Sequence, residues 1–368
     1  MRRLSILVIL LIAGCGTDEP SAPWQVVELG TEAEFRDIFF LDARHGWMVG
    51  EVGVSDPGGI VARTRDGGLT WTYETGIIGE RPRTTSIDMN AVHFVDPSRG
   101  VVAAESATIL RTDDGGDSWD RVPPSGPVYA HNRDIDFVDP AHGWIIGRIG
   151  VLRTEDGGAS WERLDEDPGS RGEAIDMIDT RRGWMVGRNG RVWRTGDGGV
   201  TWEAVEALGD LEGLSGDEKP DLRAVCFVDA DHGWAAGSWS EMPQLEQYDW
   251  AVIIHTRDGG RTWRHQVGDL RYRLHAIEFA DRERGWAVGY DRNAGASVIL
   301  ATTDGGSNWR PQRTVVGENL LALEVRDGHV WTVGDRVHRD PQRLLRLTPV
   351  EAADGGVEDG DRGDQLAE

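Results

Sequence analysis

The feature that most constrains the fold of this chain is a short turn motif that occurs six times. In every copy an Asp-Gly-Gly turn lies between a Thr and a Trp, with the Asp five residues before the Trp. Paired glycines supply backbone angles that other residues resist, so the motif predicts a tight turn between two strands. The copies are TRDGGLTW (64–71), TDDGGDSW (112–119), TEDGGASW (154–161), TGDGGVTW (195–202), TRDGGRTW (256–263) and TTDGGSNW (302–309).

A second motif accompanies the first and has the pattern of a hairpin. Apolar residues alternate, the chain turns through an Asp and a few polar residues to a Gly, and a second apolar run follows. The copies are IFFLDARHGWMVG (38–50), VHFVDPSRGVVAA (92–104), IDFVDPAHGWIIG (135–147), IDMIDTRRGWMVG (175–187), VCFVDADHGWAAG (225–237), IEFADRERGWAVG (277–289) and the shorter LEVRDGHVWTVG (323–334). With the strands on either side of the turn motif, each unit contains four antiparallel strands.

Four-stranded repeats of this length are typical of β-propeller blades, which bury both faces only in a closed ring. The Trp of the turn recurs at intervals of 41 to 61 residues. The seventh unit lacks the turn and the fourth strand, whereas WQVVELG (24–30) matches the strands that follow the turns. We therefore predict an all-β fold, one seven-bladed propeller over residues 24–350, with its last blade closed by the N-terminal strand.

The two ends of the chain have the composition of an export segment and a tail. Residues 1–14 combine two arginines with an apolar run too short to span a bilayer, which predicts an export signal. The following Cys15 resembles the lipid-modified Cys of a bacterial lipobox; an ordinary cleaved signal or a short anchor is the alternative. Residues 15–23 would form a tether, and the acidic residues 351–368 a disordered tail.

The charge of the chain limits its partners. A net charge of −24 at pH 7 argues against nucleic acid or an anionic membrane surface as the main partner. If Cys15 is lipidated, Cys226 is the remaining thiol, so an internal disulfide is excluded. We expect a monomer in the cell envelope, held to a membrane only by its N-terminal lipid. It would lie at the periplasmic face, or on the outer membrane if the host has one.

The Asp of each turn is interpreted as a structural residue. Its carboxylate can accept hydrogen bonds from the turn's own amides, whereas a calcium site needs more oxygen ligands than one or two carboxylates. Three histidines at equivalent hairpin positions, His45, His142 and His232, are interpreted as turn residues rather than ligands. No metal and no cofactor are predicted. The structural acids are Asp66, Asp114, Asp156, Asp197, Asp258 and Asp304.

The two motifs together resemble a known family. The TxDGGxTW turn is similar to the Asp-box, or bacterial neuraminidase repeat, of sialidases, sortilin-type receptors and some xyloglucan-cleaving enzymes. Paired with the FVDxxxGWxVG hairpin, it resembles the photosystem II stability/assembly factor family, a seven-bladed propeller that helps to assemble a membrane complex. The resemblance covers nearly the whole mature chain. It implies an assembly or interaction scaffold for this chain and not photosynthesis itself, because fold does not fix activity.

The main alternative is a glycoside hydrolase, since sialidases share the turn. Such a site would need an arginine cluster, a Tyr nucleophile backed by a Glu and an Asp acid, or two carboxylates about 5 Å apart. The five tyrosines follow a structural Trp or lie in loops and strand ends, and no Tyr–Glu pair can be assembled from them. Short loops between second and third strands also leave little for a deep cleft. Binding of a small ligand is a further alternative.

Two columns of residues predict a binding surface at the loop-bearing mouth of the ring. A purely structural role would favour apolar residues there, but both columns are mostly polar. The column at the start of the innermost strands comprises Arg36, Asn90, Arg133, Glu173, Arg223, His275 and Leu321. The column after GWxVG comprises Glu51, Glu105, Arg148, Arg188, Ser238, Tyr290 and Asp335.

Blades three and four gather the arginines of these columns, namely Arg133, Arg148 and Arg188, with Arg171 in the preceding linker. Guanidinium forks suit carboxylates, so the cluster predicts a protein partner with an acidic segment. We expect this partner to be a membrane or envelope protein. The alternative is that the arginines pair with Glu173, Asp134 and Asp136 of the chain itself.

The long insertion in blade five, SWSEMPQLEQYDW (238–250), predicts a second contact surface. Its aromatic residues, Trp239, Tyr248 and Trp250, stand in a polar context typical of such surfaces. The alternative is that they fold back onto the blade. Taken together, the sequence predicts a non-enzymatic envelope lipoprotein that acts as an assembly or protein-interaction scaffold.

Overall fold

Seven four-stranded antiparallel sheets form the molecule. A computed structural model describes residues 24–52, 59–77, 88–124, 131–148, 150–164, 172–207, 219–240, 249–267, 270–336 and 342–348. These ranges contain no helix with the length and hydropathy needed to cross a bilayer. Each innermost strand packs against the innermost strand of the next blade around the ring. The prediction of an all-β, seven-bladed propeller is confirmed.

The first strand, β1 Gln25–Glu28, belongs to the last blade. Blade one contains β2 Glu34–Phe40, β3 Gly46–Glu51, β4 Ile60–Thr64 and β5 Thr72–Thr75. Blade two contains β6 Met89–Phe94, β7 Gly100–Ala104, β8 Thr108–Thr112 and β9 Asp120–Arg121. Blade three contains β10 Asn132–Phe137, β11 Gly143–Gly147, β12 Gly150–Thr154 and β13 Glu162–Arg163.

The remaining blades repeat the same order of strands. Blade four contains β14 Gly172–Met177, β15 Gly183–Gly187, β16 Arg191–Thr195 and β17 Glu203–Val205. Blade five contains β18 Asp221–Phe227, β19 Gly233–Ser240, β20 Asp249–Thr256 and β21 Arg264–His265. Blade six contains β22 Arg273–Phe279, β23 Gly285–Asp291, β24 Ala296–Thr302 and β25 Arg310–Val316. Blade seven contains β26 Glu318–Arg326, β27 His329–Arg336 and β28 Arg343–Leu347.

Strand β1 supplies the fourth strand of blade seven. It pairs antiparallel with β28, from Gln25 opposite Arg346 to Glu28 opposite Arg343. Val27 of this strand is buried in a core that blades seven and one share. An edge strand with unpaired amides and carbonyls is thereby avoided. The predicted closure of the ring by the N-terminal strand is confirmed.

The Asp turns are closed by one repeated set of hydrogen bonds. In the first copy the Asp66 carboxylate accepts from the Thr70 amide (2.9 Å) and the Thr70 hydroxyl (2.6 Å). The Thr64 hydroxyl donates to Asp66 (2.8 Å) and accepts from the amide of Gly68 (3.0 Å). Gly67 and Gly68 have φ angles of +72° and +88°, which explains the paired glycines. The Thr that opens the motif and the Thr that precedes the Trp therefore both donate to the carboxylate of the Asp between them.

The repeated tryptophans lock each blade to the next. Trp47 of β3 stacks on Phe94 of blade two, with ring centroids 3.7 Å apart. Its indole N–H donates to the carbonyl oxygen of Gly115 in the turn of blade two (3.2 Å). The turn's own Trp119 meets the other side of Phe94 edge-on at 6.0 Å. Second-strand tryptophans that also reach a Gly of the next turn are Trp144, Trp184, Trp234 and Trp331.

Two interfaces between blades lack this hydrogen bond from a second-strand tryptophan. Blade two carries Val101 where the other blades carry a second-strand Trp, and Val101 packs near Gly158 of blade three. Blade seven has no Asp turn that could accept from Trp286 of blade six, and Trp286 is only partly buried. The same indole hydrogen bond therefore joins the blades at five interfaces, and ring stacking accompanies it at four of them.

Candidate functional site

The mouth of the ring is built from one irregularity that all seven blades share. The pairing between the first and second strand of each blade skips one residue near the start of the first strand. Such a β-bulge leaves the skipped residue unpaired and re-aims its side chain. The skipped residues are Arg36, Asn90, Arg133, Glu173, Arg223, His275 and Leu321, and all of them line the central cavity. The structure therefore brings together the whole first column of the sequence prediction.

Glycine at the end of the hairpin motif makes room for the bulge. A Cβ at Gly50 would lie 1.9 Å from the carbonyl oxygen of Glu34, and one at Gly237 would lie 2.0 Å from that of Asp221. The backbone of the first strand thus passes too close for any side chain at this position. Blade two is the exception, because Ala104 stands opposite Met89 at the equivalent place.

The basic side of the mouth centres on one carboxylate. Glu173 forms ion pairs with Arg133 through one carboxylate oxygen and with Arg188 through the other, the latter at 2.6 Å. The Glu173 side chain is 10% exposed, whereas that of Arg188 is 53% exposed. The alternative that the arginines pair within the chain therefore holds for Glu173. It does not hold for Asp134 and Asp136, which accept backbone amides instead.

Two further arginines flank this pair. Burial, followed by the positive charges of Arg188, Arg148 and Arg223, lowers the pKa of Arg133. Among the described residues, neither Arg148 nor Arg223 forms an ion pair, and the buried Nε of Arg223 lacks a hydrogen-bond partner. Two guanidinium groups thus contact the carboxylate of Glu173, and two more line the cavities that it borders. A second cavity, of about 420 Å³, is lined by Arg133, Arg148 and Glu173.

His275 lies beyond Arg223 in the ring of bulge residues. Burial, followed by the charges of Arg223 and Arg273, lowers the pKa of His275 to about 3. The imidazole is therefore neutral at physiological pH and adds polarity but no charge to the mouth. Arg273 itself pairs with Asp249 at 3.1 Å. Arg292, also of blade six, pairs with the same carboxylate at 3.2 Å, so Asp249 serves two arginines.

The opposite side of the mouth carries acids. Arg36 pairs with Glu51 at 2.6 Å and with Asp88 at 3.0 Å, so its charge is neutralised. Burial, followed by a hydrogen bond with Asp88, raises the pKa of Glu51. Asp335 lies close enough to Arg36 to interact with it electrostatically. Arg36 therefore differs from the arginines of blades three to five, although it stands in the same column.

Below the mouth, the channel is lined by buried acids that sequence reasoning missed. The cavity has a volume of about 540 Å³. The Asp134 carboxylate accepts from the amides of Ile135 (2.9 Å) and Ile175 of blade four (2.8 Å). Asp136 accepts from the amide of Met177 (2.8 Å), also in blade four. These side chains join the innermost strands of neighbouring blades where no sheet hydrogen bonds connect them.

Burial acts on all of these channel acids in the same direction. It raises the pKa of Asp37 to about 7, that of Asp134 to about 8 and that of Asp136 to about 6. It also raises the pKa of Glu324 to about 8. The residues that line the channel with them are Asp176, Glu278, His93 and Cys226. For Asp136, Asp176, Glu278 and Glu324 the signal in the sequence is an acid between two apolar residues of the innermost strand, as in Ile-Asp-Phe or Ile-Glu-Phe.

The prediction that the insertion of blade five exposes its aromatic residues is wrong for Trp239. The strands β19 and β20 extend into the insertion and pair Trp239 with Trp250, so the ring of Trp239 is buried against the core. Trp250 is partly buried beneath the guanidinium of Arg271, which lies 4.8 Å from the ring centroid. Tyr248 lies outside the described residues.

Two other predicted residues, Cys15 and Arg171, also lie outside the described residues. The histidines His45, His142 and His232 each bond the Asp three residues earlier in their hairpin, as expected of turn residues. Within the described ranges, no group of three or more His, Cys, Asp or Glu side chains could hold a metal ion. The arrangement at the mouth is thus suited to binding anionic groups through arginine.

The sequence matches the family model for photosynthesis system II assembly factor YCF48. The matched residues are 17–129 and 125–214, which together make up more than half of the chain. This family is one of assembly factors, in agreement with the resemblance found in the sequence.

Several curated relatives carry the name Photosystem II assembly lipoprotein Ycf48. The protein from Synechococcus sp. (strain CC9902) is 29% identical over 126 residues, which cover 32% of this chain and 34% of that protein. The protein from Parasynechococcus marenigrum (strain WH8102) is 33% identical over 97 residues, covering 24% of this chain and 27% of that protein. The chain therefore matches about a third of the length of these relatives.

Solved structures with the same fold include two of YCF48. One, of YCF48 bound to D1 peptide, has a TM-score of 0.66 and 22% identity and covers 90% of this chain and 99% of that one. YCF48 from Cyanidioschyzon merolae has a TM-score of 0.64 and 20% identity, covering 89% of this chain and 98% of that one. The GH74 xyloglucanase from Xanthomonas campestris has a TM-score of 0.63 and 14% identity, covering 88% of this chain and 55% of the enzyme. At these identities the likeness shows the fold alone.

Proposed function

Because this chain belongs to the family of photosynthesis system II assembly factor YCF48, we propose that it is a non-enzymatic assembly factor that binds a protein partner at the mouth of its propeller. The observation that carries the proposal is the arginine cluster of blades three to five. Four arginines lie near one another there, two of them paired with a single carboxylate, in a chain whose net charge is −24. A local positive field of this kind would select an acidic segment of the partner.

The comparisons support a peptide as the form in which the partner is bound. One YCF48 has been solved with a D1 peptide bound. In this chain the mouth offers an open cavity beside Arg133 and Arg148, which an extended segment could enter. The bulge residues are held by the backbone of rigid strands, so their side chains are presented in a fixed ring. We expect the partner to be a membrane or envelope protein.

The test is charge reversal at the centre of the cluster. Arg133→Glu combined with Arg188→Glu should abolish binding of a fluorescein-labelled peptide that carries three successive acidic residues, measured by anisotropy. The matched control is Arg121→Glu with Arg163→Glu, two exposed residues on the outer strands of blades two and three. Both variants have the same net charge and should keep the circular dichroism of the parent. Undiminished binding by the mouth variant would remove these arginines from the site.

We also propose that the protein is anchored to a membrane by a lipid on Cys15. The support is the apolar run before Cys15 and the name lipoprotein carried by the relatives. A lipidated N-terminal Cys carries more than one acyl chain, which is the condition for stable anchoring. Cys15→Ser should leave the precursor unprocessed or loosely associated with membranes. An unchanged mature mass and membrane fraction in this variant would contradict the anchor.

The glycoside hydrolase alternative gains no support from the mouth. Two neighbouring carboxyls at the mouth, Glu51 and Asp88, are both bound to Arg36. Retaining glycosidases instead hold two carboxylates about 5 Å apart, with the scissile bond between them. The likeness to a GH74 enzyme is a likeness of fold. A panel of fluorogenic glycosides, including a sialoside, should show no turnover by the purified protein.

A further inference from the structure

Glu173 holds an unusual place among the seven bulge residues. It stands between Arg133 of blade three and Arg223 of blade five in the ring, and its side chain is largely buried. One carboxylate oxygen accepts from Nη1 of Arg133, and the other accepts from Nε of Arg188 at 2.6 Å. This is the arrangement in which an external carboxylate would be bound between two arginines.

The positive charge around Glu173 exceeds what one carboxylate neutralises. Arg148 and Arg223 approach the same centre closely enough that their charges lower the pKa of Arg133. Neither forms an ion pair within the described part of the chain, and the Nε of Arg223 is buried without a hydrogen-bond partner. Arg133 and Arg188 are thus already occupied by Glu173, whereas Arg148 and Arg223 are not paired, although the negative charges of Asp221 and Asp249 act on Arg223 from a distance.

Space for a second carboxylate lies directly beside this cluster. The cavity of about 420 Å³ is lined by Arg133, Arg148 and Glu173. It is also lined by Glu105, which is paired with His131 at 3.0 Å. A carboxylate that entered this space would be within reach of the exposed Arg148 and the half-buried Arg133. It would then compete with Glu173 for the guanidinium of Arg133.

We propose that Glu173 is a built-in competitor for the acidic segment of the partner. In the free protein it holds Arg133 and Arg188 in place of a ligand; on binding, the carboxylates of the segment contact Arg148 and Arg223 and replace Glu173 at Arg133. The competitor lowers the affinity and so favours release of the partner, as an assembly factor requires. This inference rests on the proposed function, because it concerns the same site.

The test is removal of the charge of Glu173 with its shape retained. The probe is the fluorescein-labelled peptide Gly-Asp-Glu-Asp-Gly with blocked ends, and the neutral control is Gly-Asn-Gln-Asn-Gly. Glu173→Gln should bind the acidic probe about tenfold more tightly than the parent, because about 1.4 kcal/mol of competition corresponds to a factor of ten. The dependence of affinity on salt should also become steeper, since binding no longer breaks an internal ion pair and the net gain in ion pairs is larger by one.

A matched variant separates this effect from a general change in charge. Glu162→Gln, on the exposed outer strand of blade three, changes the net charge equally and should alter affinity by no more than about twofold. If the parent binds the probe and Glu173→Gln binds no better than Glu162→Gln, the competitor is refuted and the proposed function stands. If neither the parent nor Glu173→Gln binds it, both proposals fail.

A second variant covers the case in which Glu173→Gln does not fold. Glu173→Asp keeps the charge but shortens the side chain by one methylene, so the carboxylate cannot reach Arg133 and Arg188 together. It should bind the acidic probe more tightly than the parent and less tightly than a folded Glu173→Gln. Affinity equal to or weaker than that of the parent would refute the competitor by itself.

Discussion

The two ends of the propeller differ in whether equivalent positions of the blades carry the same residue. At the end that carries the Asp turns, the same acid recurs in six blades and makes the same contacts each time. At the mouth, the bulge is repeated in all seven blades, but its residue is basic, acidic, neutral or apolar. The backbone repeats from blade to blade at both ends, whereas the residue type repeats only at the end that carries the Asp turns.

The difference shows where the fold constrains sequence and where it does not. The Asp of a turn is bound by the turn itself, so a change of residue removes hydrogen bonds that hold two strands together. A bulge residue is positioned by its neighbours and contributes little to the pairing, so its identity is open to selection for binding. Variation among the blades at a position with fixed geometry is therefore what we expect of a binding surface.

The largest effect is expected outside both ends, from loss of the strand that joins the first blade to the last. Deletion of residues 17–30 removes the buried Trp24 and β1 with its buried Val27, and it exposes the edge of β28. Burial of these side chains and of Leu29 contributes ~5 kcal/mol, so the melting temperature should fall by many degrees. Differential scanning calorimetry is the measurement. A truncated protein that melts within about two degrees of the parent would contradict the closure.

A turn acid should matter for stability and not for binding. Asp66→Ala removes the acceptor of two hydrogen bonds from Thr70 and one from Thr64. We expect a loss of ~2 kcal/mol in the free energy of unfolding by urea, because the amides of the turn lose a charged acceptor. Binding of the acidic probe at the mouth should not change. A variant as stable as the parent, or one with impaired binding, would break the contrast between the two ends.

The response to pH should distinguish the channel from the turns. Channel acids such as Asp134 have a pKa raised to about 8, so their contribution is present at low pH and is lost as the pH rises through that value. Turn acids such as Asp66 have a lowered pKa, so their contribution is present above about pH 4 and is lost on further acidification. The free energy of unfolding should therefore be greatest between about pH 4 and 6. Urea titrations across pH test this.

Single substitutions can assign the two parts of this pH dependence to the channel and to the turns. Asp134→Asn removes one group that takes up a proton as the pH falls from about 8 to 5, so the rise in stability over this range should become shallower. Asp66→Asn should leave that range unchanged and flatten the loss of stability below about pH 4. Stability that increases from pH 5 to pH 8 in the parent would show that the channel acids are ionised in the fold.

The smallest effect on stability is expected for an unpaired arginine of the mouth. Arg148 is exposed and forms no ion pair within the described residues. Arg148→Ala should change the free energy of unfolding by no more than ~0.5 kcal/mol, as for most surface substitutions. Affinity for the acidic probe should nevertheless fall by about threefold to tenfold, because a charged contact is lost. Unchanged affinity would place the acidic segment elsewhere on the mouth.

Repetition is the reason why so much of the fold could be predicted from the sequence. The Asp turn and the hairpin set the strands, and the strand 24–30 had no other place than the incomplete seventh blade. The bulge column was also predicted, because alignment of the blades shows a polar position where a core residue would be apolar. Its cause, a skipped pairing opposite a glycine, is visible only in the register of the strands.

The pairing of side chains could not be predicted in the same way. Whether Arg133 contacts Glu173 or Asp134 depends on which side of the strand each faces at the bulge, and the sequence permitted both. The burial of Trp239 follows from strands that continue into the insertion, which no turn signal marks. The channel acids alternate with apolar residues as solvent-facing side chains of an ordinary strand would, so their burial is evident only in the closed ring.

The closure of blade seven sets the order in which the molecule can fold. Strand β1 is made first, but its partner β28 lies at the far end of the chain, so Gln25 meets Arg346 only after the rest has been synthesised. Contacts of such long sequence separation are costly in loop entropy and slow the folding of β proteins. Six blades can assemble one after another from local hairpins while β1 waits unpaired. We therefore expect the first strand to leave the ribosome to be the last to be placed, so that completion of the ring is a late step of folding.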